Sequence, residues 1–248
     1  MIGGTVRGEV PQASDWLNTY CNSAAIGLRE SANATVEAVR VHRAWDAVRF
    51  SKNSPEFSLA GSWISKARDD CVENDQLKSG VIQDTLFDGC FYGISMDPAR
   101  NVPLPSSVHE VLVLESVIMR MATYLARGRK VQGVPFKAHP SSPKLRIYNS
   151  VFAFDNPHVV GLRRLARAWR KTIGCRNNLI LWMTDGPLPH DFPLPPSCFR
   201  IVKGDSAMAL WDRVRNNWIN CHPNVGRLRD DPTSRPEQCE SKLFGAHR

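Results

Sequence analysis

The chain is poor in the signals that usually announce an activity. It has no stretch of about 18 uncharged apolar residues, so no helix is expected to span a membrane. The opening residues, Met1 to Arg7, carry no apolar segment of the kind a secretory leader needs. No Gly-x-Gly-x-x-Gly, Walker or Gly-x-Ser-x-Gly sequence occurs. Dinucleotide binding, P-loop chemistry and serine hydrolysis of the common α/β type therefore have no support. The seven cysteines stand far apart in sequence, which excludes zinc-ribbon and thioredoxin-like spacing. Their scatter in a long chain predicts buried free thiols in a reducing intracellular compartment, cytoplasm or nucleus. No internal repeat or low-complexity tract is visible.

What is present is enough for a substantial core. The 248 residues are 42% hydrophobic and include seven tryptophans, each of which needs a buried home. The net charge of +8 is unevenly placed. Residues 1–143 hold 15 basic and 15 acidic side chains, whereas residues 144–248 hold 17 and 9. Such asymmetry points to an anionic partner, with nucleic acid the leading candidate. Most of the basic groups are arginine, whose planar fork grips phosphate bidentately.

Helical spacing of Ala34, Ala38, Val41, Trp45 and Val48 predicts an amphipathic helix from about Ser31 to Asn53. A second helix is expected from the capping box Ser107-Val108-His109-Glu110, through Val111, Leu114, Ile118, Met121 and Leu125, to Gly128. Residues 57–66 suit either a strand or a short helix. Val81–Phe87 and Phe91–Met96 read as strands of a hairpin around Asp88-Gly89. Residues 128–144 read as a linker.

The pattern then sharpens. A strand over Arg146–Phe154 leads through Asp155-Asn156-Pro157, as N-cap and N1 proline, into a helix facing inward with Leu162, Leu165, Ala166, Trp169 and Ile173. Leu179–Thr184 is an apolar run suited to a strand covered on both sides. Phe199–Lys203 forms a third strand. Asp205 or Ser206 caps a last helix carrying Ala209, Leu210, Val214 and Trp218. The expected fold class is α/β: a mostly parallel sheet in the C-terminal half with flanking helices, and an N-terminal helical or mixed portion packed on it. The expected organisation is a mixed α+β portion over 1–130, a basic α/β unit over 144–220 and a polar, flexible tail over 221–248.

Two features carry chemistry. Asp155, Asp185 and Asp205 each follow a strand, and ligands of open parallel sheets sit beyond the strands' carboxyl ends. Three carboxylates gathered there would hold Mg2+ or Mn2+ and serve phosphodiester hydrolysis or phosphoryl transfer. Beside them, Arg163, Arg164, Arg167, Arg170 and Lys171 crowd one helix as a basic ridge for nucleic acid, RNA included. His158 and His190 are candidate general bases. Cys221 and His222, with Cys239 and His247, could hold zinc, although their spacing fits no common module.

Thr184-Asp185-Gly186 resembles a metal-contacting turn of von Willebrand A domains, but the upstream Asp-x-Ser-x-Ser that family needs is absent. It also resembles the first strand of ribonuclease H domains, which need far more chain after it than remains here. Leu104-Pro105-Ser106-Ser107-Val108, followed by Val111 and Leu112, resembles the opening of an F-box. That resemblance implies a protein partner docking through residues 104–125. Two functional readings result. One is a nucleic-acid- or nucleotide-binding protein, with metal-dependent cleavage as its enzymatic form. The other is a non-enzymatic pathogen or viral accessory factor that engages host protein or RNA through its basic half.

Overall fold

The computed structural model describes residues 1–20, 23–98 and 109–228. Strands dominate, at 42% against 15% helix, and the large sheets are parallel throughout. The chain coils repeatedly around three faces. The first turn contains β1 (Thr5–Arg7), the short α1 (Trp16–Thr19), β2 (Ala24–Arg29) and β3 (Thr35–Glu37). The next is β4 (Arg40–His42), β5 (Asp46–Ser51) and β6 (Phe57–Ala60). It is followed by β7 (Trp63–Ser65), β8 (Asp70–Glu73) and β9 (Gly80–Gln83), then β10 (Leu86–Cys90), β11 (Tyr92–Met96) and β12 (Val111–Glu115). After β13 (Ile118–Met121), a hairpin of β14 (Tyr124–Ala126) and β15 (Arg129–Val131) precedes β16 (Phe136–Ala138) and β17 (Lys144–Tyr148). The last part runs β18 (Val151–Phe154), α2 (Leu162–Lys171), β19 (Thr172–Arg176), β20 (Asn178–Trp182), β21 (Phe199–Lys203) and α3 (Gly204–Cys221).

Like strands stack on like strands. Face one is β1-β4-β7-β10-β13-β18-β20-β21, face two is β2-β5-β8-β11-β16, and face three is β3-β6-β9-β12-β17-β19. The result is a three-faced parallel β-solenoid. Each turn cannot bury its own apolar side and does so only against its neighbours. Arg40 pairs with Trp63 and Trp63 with Leu86, so the early turns take 23 residues. The interior is a set of columns. Val41, Ile64, Phe87, Met119, Phe152 and Ile180 are successive partners on face one and are all buried. Val48, Val72, Ile94 and Phe136 repeat this on face two.

The corners explain why strands replace the two helices expected over 31–53 and 107–128. Ala38, Gly61, Asp84, Ser116, Asn149 and Asn177 each follow a face-three strand, and all have φ between 44° and 56°. One left-handed residue turns the chain sharply, and Ala38 and Ser116 adopt it without the glycine or asparagine that would mark it. Interior residues therefore step by two along a strand and by three across a corner. Leu112, Leu114, Val117, Met119 and Met121 show this, and the mixture imitates helical spacing. Only part of the F-box-like segment and of the capping box, from His109 onward, lies within the described residues. There Glu110 accepts from the Ser79 backbone N–H and Ser79 Oγ.

Other expectations are also corrected. Asp88-Gly89 lies within β10, at a register shift between Asp88 and Cys90, and β10 and β11 each pair in parallel to other turns, so no hairpin forms there. The true hairpin is β14–β15, whose turn residues Arg127 and Gly128 both have positive φ, as a type I′ turn requires. Residues 57–66 give the two strands β6 and β7, and the supposed linker over 128–144 contains β15 and β16. Cys71–Cys90 and Cys175–Cys198 are disulfides, with Cα–Cα distances of 5.7 and 5.9 Å. They run against the expectation of free thiols in a reducing compartment. Among the described residues no helix is long and apolar enough to cross a membrane.

The C-terminal elements are of the expected type except at residues 172–176, where the helix expected to run through Ile173 ends at Lys171 and the strand β19 takes over. Strands β17, β18, β20 and β21 and helices α2 and α3 all form, although Asn149 and Ser150 break the first predicted strand at a corner. Leu162, Leu165, Ala168 and Trp169 of α2 join the solenoid interior, with Trp169 against Phe136 and Phe199. Ala207, Trp211, Val214 and Trp218 of α3 cover the outward side chains of face one, including Leu86, Ile118, Val151, Leu179 and Leu181. Strand β20 is thus covered on both sides, which accounts for its unbroken apolar sequence. Residues 229–248, the greater part of the expected tail, lie outside the described residues, and so do Cys239 and His247.

Candidate functional site

The three strand-end aspartates stand on neighbouring strands but do not converge. Phe154, Trp182 and Lys203 are register partners on β18, β20 and β21, so Asp155, Asp185 and Asp205 all follow the same end of face one. Asp155 is engaged locally: it accepts from Thr123 Oγ1 at 3.0 Å and pairs with Arg120 Nη1 at 3.3 Å. Burial raises its pKa, and Arg120 pulls it back. It does not cap α2, whose N-cap is Gly161 at φ 89°. Asp185 and Asp205 are exposed, and Asp205 occupies the first turn of α3, where its charge suits the helix dipole. Among the described residues the only group of three carboxylates close enough to share an ion lies elsewhere.

The basic helix does assemble a cleft. Its apolar stripe is committed to the solenoid interior, which turns the opposite side outward. Arg163, Arg164 and Arg167 line a cleft of about 410 Å3 together with Val159, Gly161, Leu162 and Asp191. Arg164 pairs with Asp97 at 2.7 Å, while Arg163 and Arg170 are exposed. Lys171 is half-buried, and burial followed by the nearby Lys144 lowers its pKa. His158 and His190 are exposed and are not among the cleft's lining residues.

Sequence reasoning missed a second charged group. Asp46 at the start of β5, Asp69 at the corner before β8 and Asp70 at its start are 2%, 8% and 3% exposed. One ligand oxygen from each lies within 4.8 Å of the others. Asp46 Oδ1 accepts the Asp70 backbone N–H at 3.0 Å, and Asp46 Oδ2 pairs with Arg49 Nη2 at 2.7 Å. Arg49 also donates to Glu73. Lys137 Nζ, from β16, donates to Asp70 Oδ2 at 2.9 Å. Asp70 Oδ1 is buried and has no hydrogen-bond partner among the described residues. The Trp16 indole N–H approaches Asp69 without reaching hydrogen-bond geometry. Nearby, Asp75 accepts from Ser95 Oγ and from the Asp97 N–H.

Burial is the first cause of every carboxylate shift here. It pushes Asp46 up to about 8, helped by the charges of Asp69 and Glu73, and raises Asp75 to about 6. Asp69 and Asp70 move the same way, with Lys137 opposing. For Lys137, burial favours the neutral amine, but Asp70, Asp69 and Asp75 outweigh it and keep the ammonium charged. The trio was legible in one respect: Asp46 stands 23 and 24 residues before Asp69 and Asp70, about one solenoid turn. Asp46 falls outside the apolar positions of the helix expected over 31–53, so without the period nothing marks it as buried.

Comparison with family models, curated proteins and solved structures finds no match. The functional reading therefore rests on this chain's own geometry.

Proposed function

We propose that the protein binds a phosphate-bearing polyanion, most simply a single-stranded nucleic-acid backbone, at the basic end of its solenoid. The observation that carries this reading is the cleft in which Arg163, Arg164 and Arg167 of α2 stand together. Arg170 and Lys171 extend the charge along the same helix. The helix is anchored by Leu162, Leu165, Ala168 and Trp169, so the backbone that carries its guanidinium groups is fixed before binding. Cleavage through Asp155, Asp185 and Asp205 is not part of this proposal, because those carboxylates do not form a group.

The test is fluorescence anisotropy with a labelled single-stranded RNA over a range of salt. Three to five phosphate contacts predict a slope of log affinity on log salt of roughly −2 to −3.5. Reversing Arg163, Arg167 and Arg170 to Glu is expected to remove binding while circular dichroism stays unchanged. Undiminished binding by that variant would overturn the proposal. Binding to an acidic protein surface but not to RNA would favour the accessory-protein reading instead.

A further inference from the structure

We infer that Asp46, Asp69 and Asp70 form an oxygen-only divalent-cation site, of calcium size, that clamps adjacent turns of the solenoid on face two. Two oxygens bound to one Ca2+ at 2.3–2.6 Å can be at most about 4.6–5.2 Å apart. The separations within this trio, all under 4.8 Å, fall inside that span. Mg2+, at 2.0–2.1 Å, allows about 4.2 Å at most and would require the group to contract.

The scaffold holds these carboxylates where an ion needs them. Val48 pairs with Val72, so Asp46 and Asp70 occupy matching positions on β5 and β8, and the Asp70 N–H bonds directly to the Asp46 carboxylate. Neighbouring strands are about 4.8 Å apart, which sets the spacing of stacked side chains. Asp69 is fixed by its backbone N–H to the Trp45 carbonyl.

Two independent observations point to a missing positive charge. The first is Asp70 Oδ1, a buried carboxylate oxygen with no hydrogen-bond partner among the described residues, although Lys137 already holds Oδ2 of the same group. A buried acceptor left unmatched is disfavoured, and a cation matches it. The second is the balance of charge. Asp46, Asp69, Asp70, Glu73 and Asp75 are gathered here, and among the described residues the cations bonded to this group are Lys137 and Arg49. With these carboxylates ionised, acids outnumber cations, and one divalent ion offsets that excess in place of the protons that burial otherwise favours.

The experiment uses the full chain after dialysis against a chelator. Terbium replaces Ca2+ in oxygen sites and emits when a nearby tryptophan transfers energy to it; Trp16 approaches Asp69 and packs at 5.4 Å from Trp45. Tb3+ is expected to give saturable sensitised emission, displaced by Ca2+ more effectively than by Mg2+. Ca2+ is expected to raise the melting temperature of the parent. D70N and D69N should abolish both effects while retaining the parent's circular dichroism. W16F should dim the emission yet keep the calcium-dependent rise, which separates loss of the reporter from loss of the site. If neither Ca2+ nor Mn2+ moves the melting temperature of the dialysed parent, and Tb3+ stays dark, the inference is wrong and protons alone balance the cluster. An equal calcium response in D70N would overturn it as well.

Discussion

The solenoid carries two concentrations of charge of opposite sign, and they obey different physics. On face two, Asp46, Asp69 and Asp70 lie beneath the surface, where each charge must be matched by a neighbour. On α2, Arg163 and Arg170 face water, which screens them and leaves them available to a ligand. The acidic group is therefore bound up with folding, whereas the basic group can serve binding at little cost to stability. The comparison extends to the ion pairs between these limits, and burial should rank them.

The largest effect is expected at Lys137. Its side chain is 14% exposed and its partner Asp70 only 4%. K137M leaves buried carboxylates without their cation, and breaking such a pair costs about 3–5 kcal/mol. Urea unfolding monitored by tryptophan fluorescence measures it. A loss below about 1 kcal/mol would mean that water or a bound ion already shields this group.

Arg120 should fall lower on the scale. It bonds Asp88 at 2.9 Å and Asp155 at 3.3 Å, but is itself 30% exposed, and Arg215 from α3 also holds Asp88 at 2.7 Å. With a second guanidinium in place, R120M is expected to cost about 1–2 kcal/mol, near the usual worth of a charged hydrogen bond. The double variant R120M/R215M should lose more than the sum of the two single losses, because only then is Asp88 stranded.

How much of this was legible in the sequence depended on how long each local pattern ran. Residues 199–203 were expected as a strand and are one, and α2 showed most of its apolar stripe: Leu162, Leu165 and Trp169 are interior, but Ala168 serves where Ala166 was expected, and Ile173 lies exposed in β19. In α3 the stripe was placed partly wrong: Val214 and Trp218 are interior, but Ala207 and Trp211 serve where Ala209 and Leu210 were expected. Over 31–53 the strands are only three to six residues long, too short to establish a two-residue period before a corner resets it. The disulfides were hidden for a related reason. Each joins residues distant in sequence at no common spacing, 19 residues for Cys71–Cys90 and 23 for Cys175–Cys198, and each pair comes together only through the winding of the chain. The strand-end acids were correctly placed beyond adjacent strands, but burial and partners separate Asp155 from the exposed Asp185 and Asp205, and no sequence pattern encodes that.

His222 tests the same ranking with pH in place of a second substitution. Its Nε2 faces Asp84 Oδ2 at 2.9 Å and its Nδ1 faces the Trp218 carbonyl at 2.7 Å, so both nitrogens point at acceptors and the imidazolium satisfies both. Burial works against that charge, yet Asp84 and the Trp218 carbonyl outweigh it, and the pKa is raised. A raised folded-state pKa gives stability that is complete below the unfolded value of about 6.5 and lost as pH rises through the folded value. H222Q should therefore cost about 1 kcal/mol at pH 5.5 and clearly less at pH 9. A cost independent of pH would assign the residue's contribution to its stacking on Trp218, at 3.9 Å, instead of to its charge.

The smallest effect on stability should come from the exposed arginines, and it decides whether the two charge groups are separable. R163A and R170A each remove a group that no described residue buries, so unfolding free energy should stay within about 0.5 kcal/mol of the parent. R164A differs, because Arg164 holds Asp97 at 2.7 Å, and Asp97 in turn donates its backbone N–H to Asp75 at the margin of the acidic group. If face two and α2 are independent, all three variants weaken RNA binding and each lowers the salt slope by about 0.7. None of them should then alter the calcium-dependent melting. If R164A alone changes the calcium response, the chain Arg164–Asp97–Asp75 couples the two groups, and binding at the solenoid's end would be linked to the ion that clamps its side.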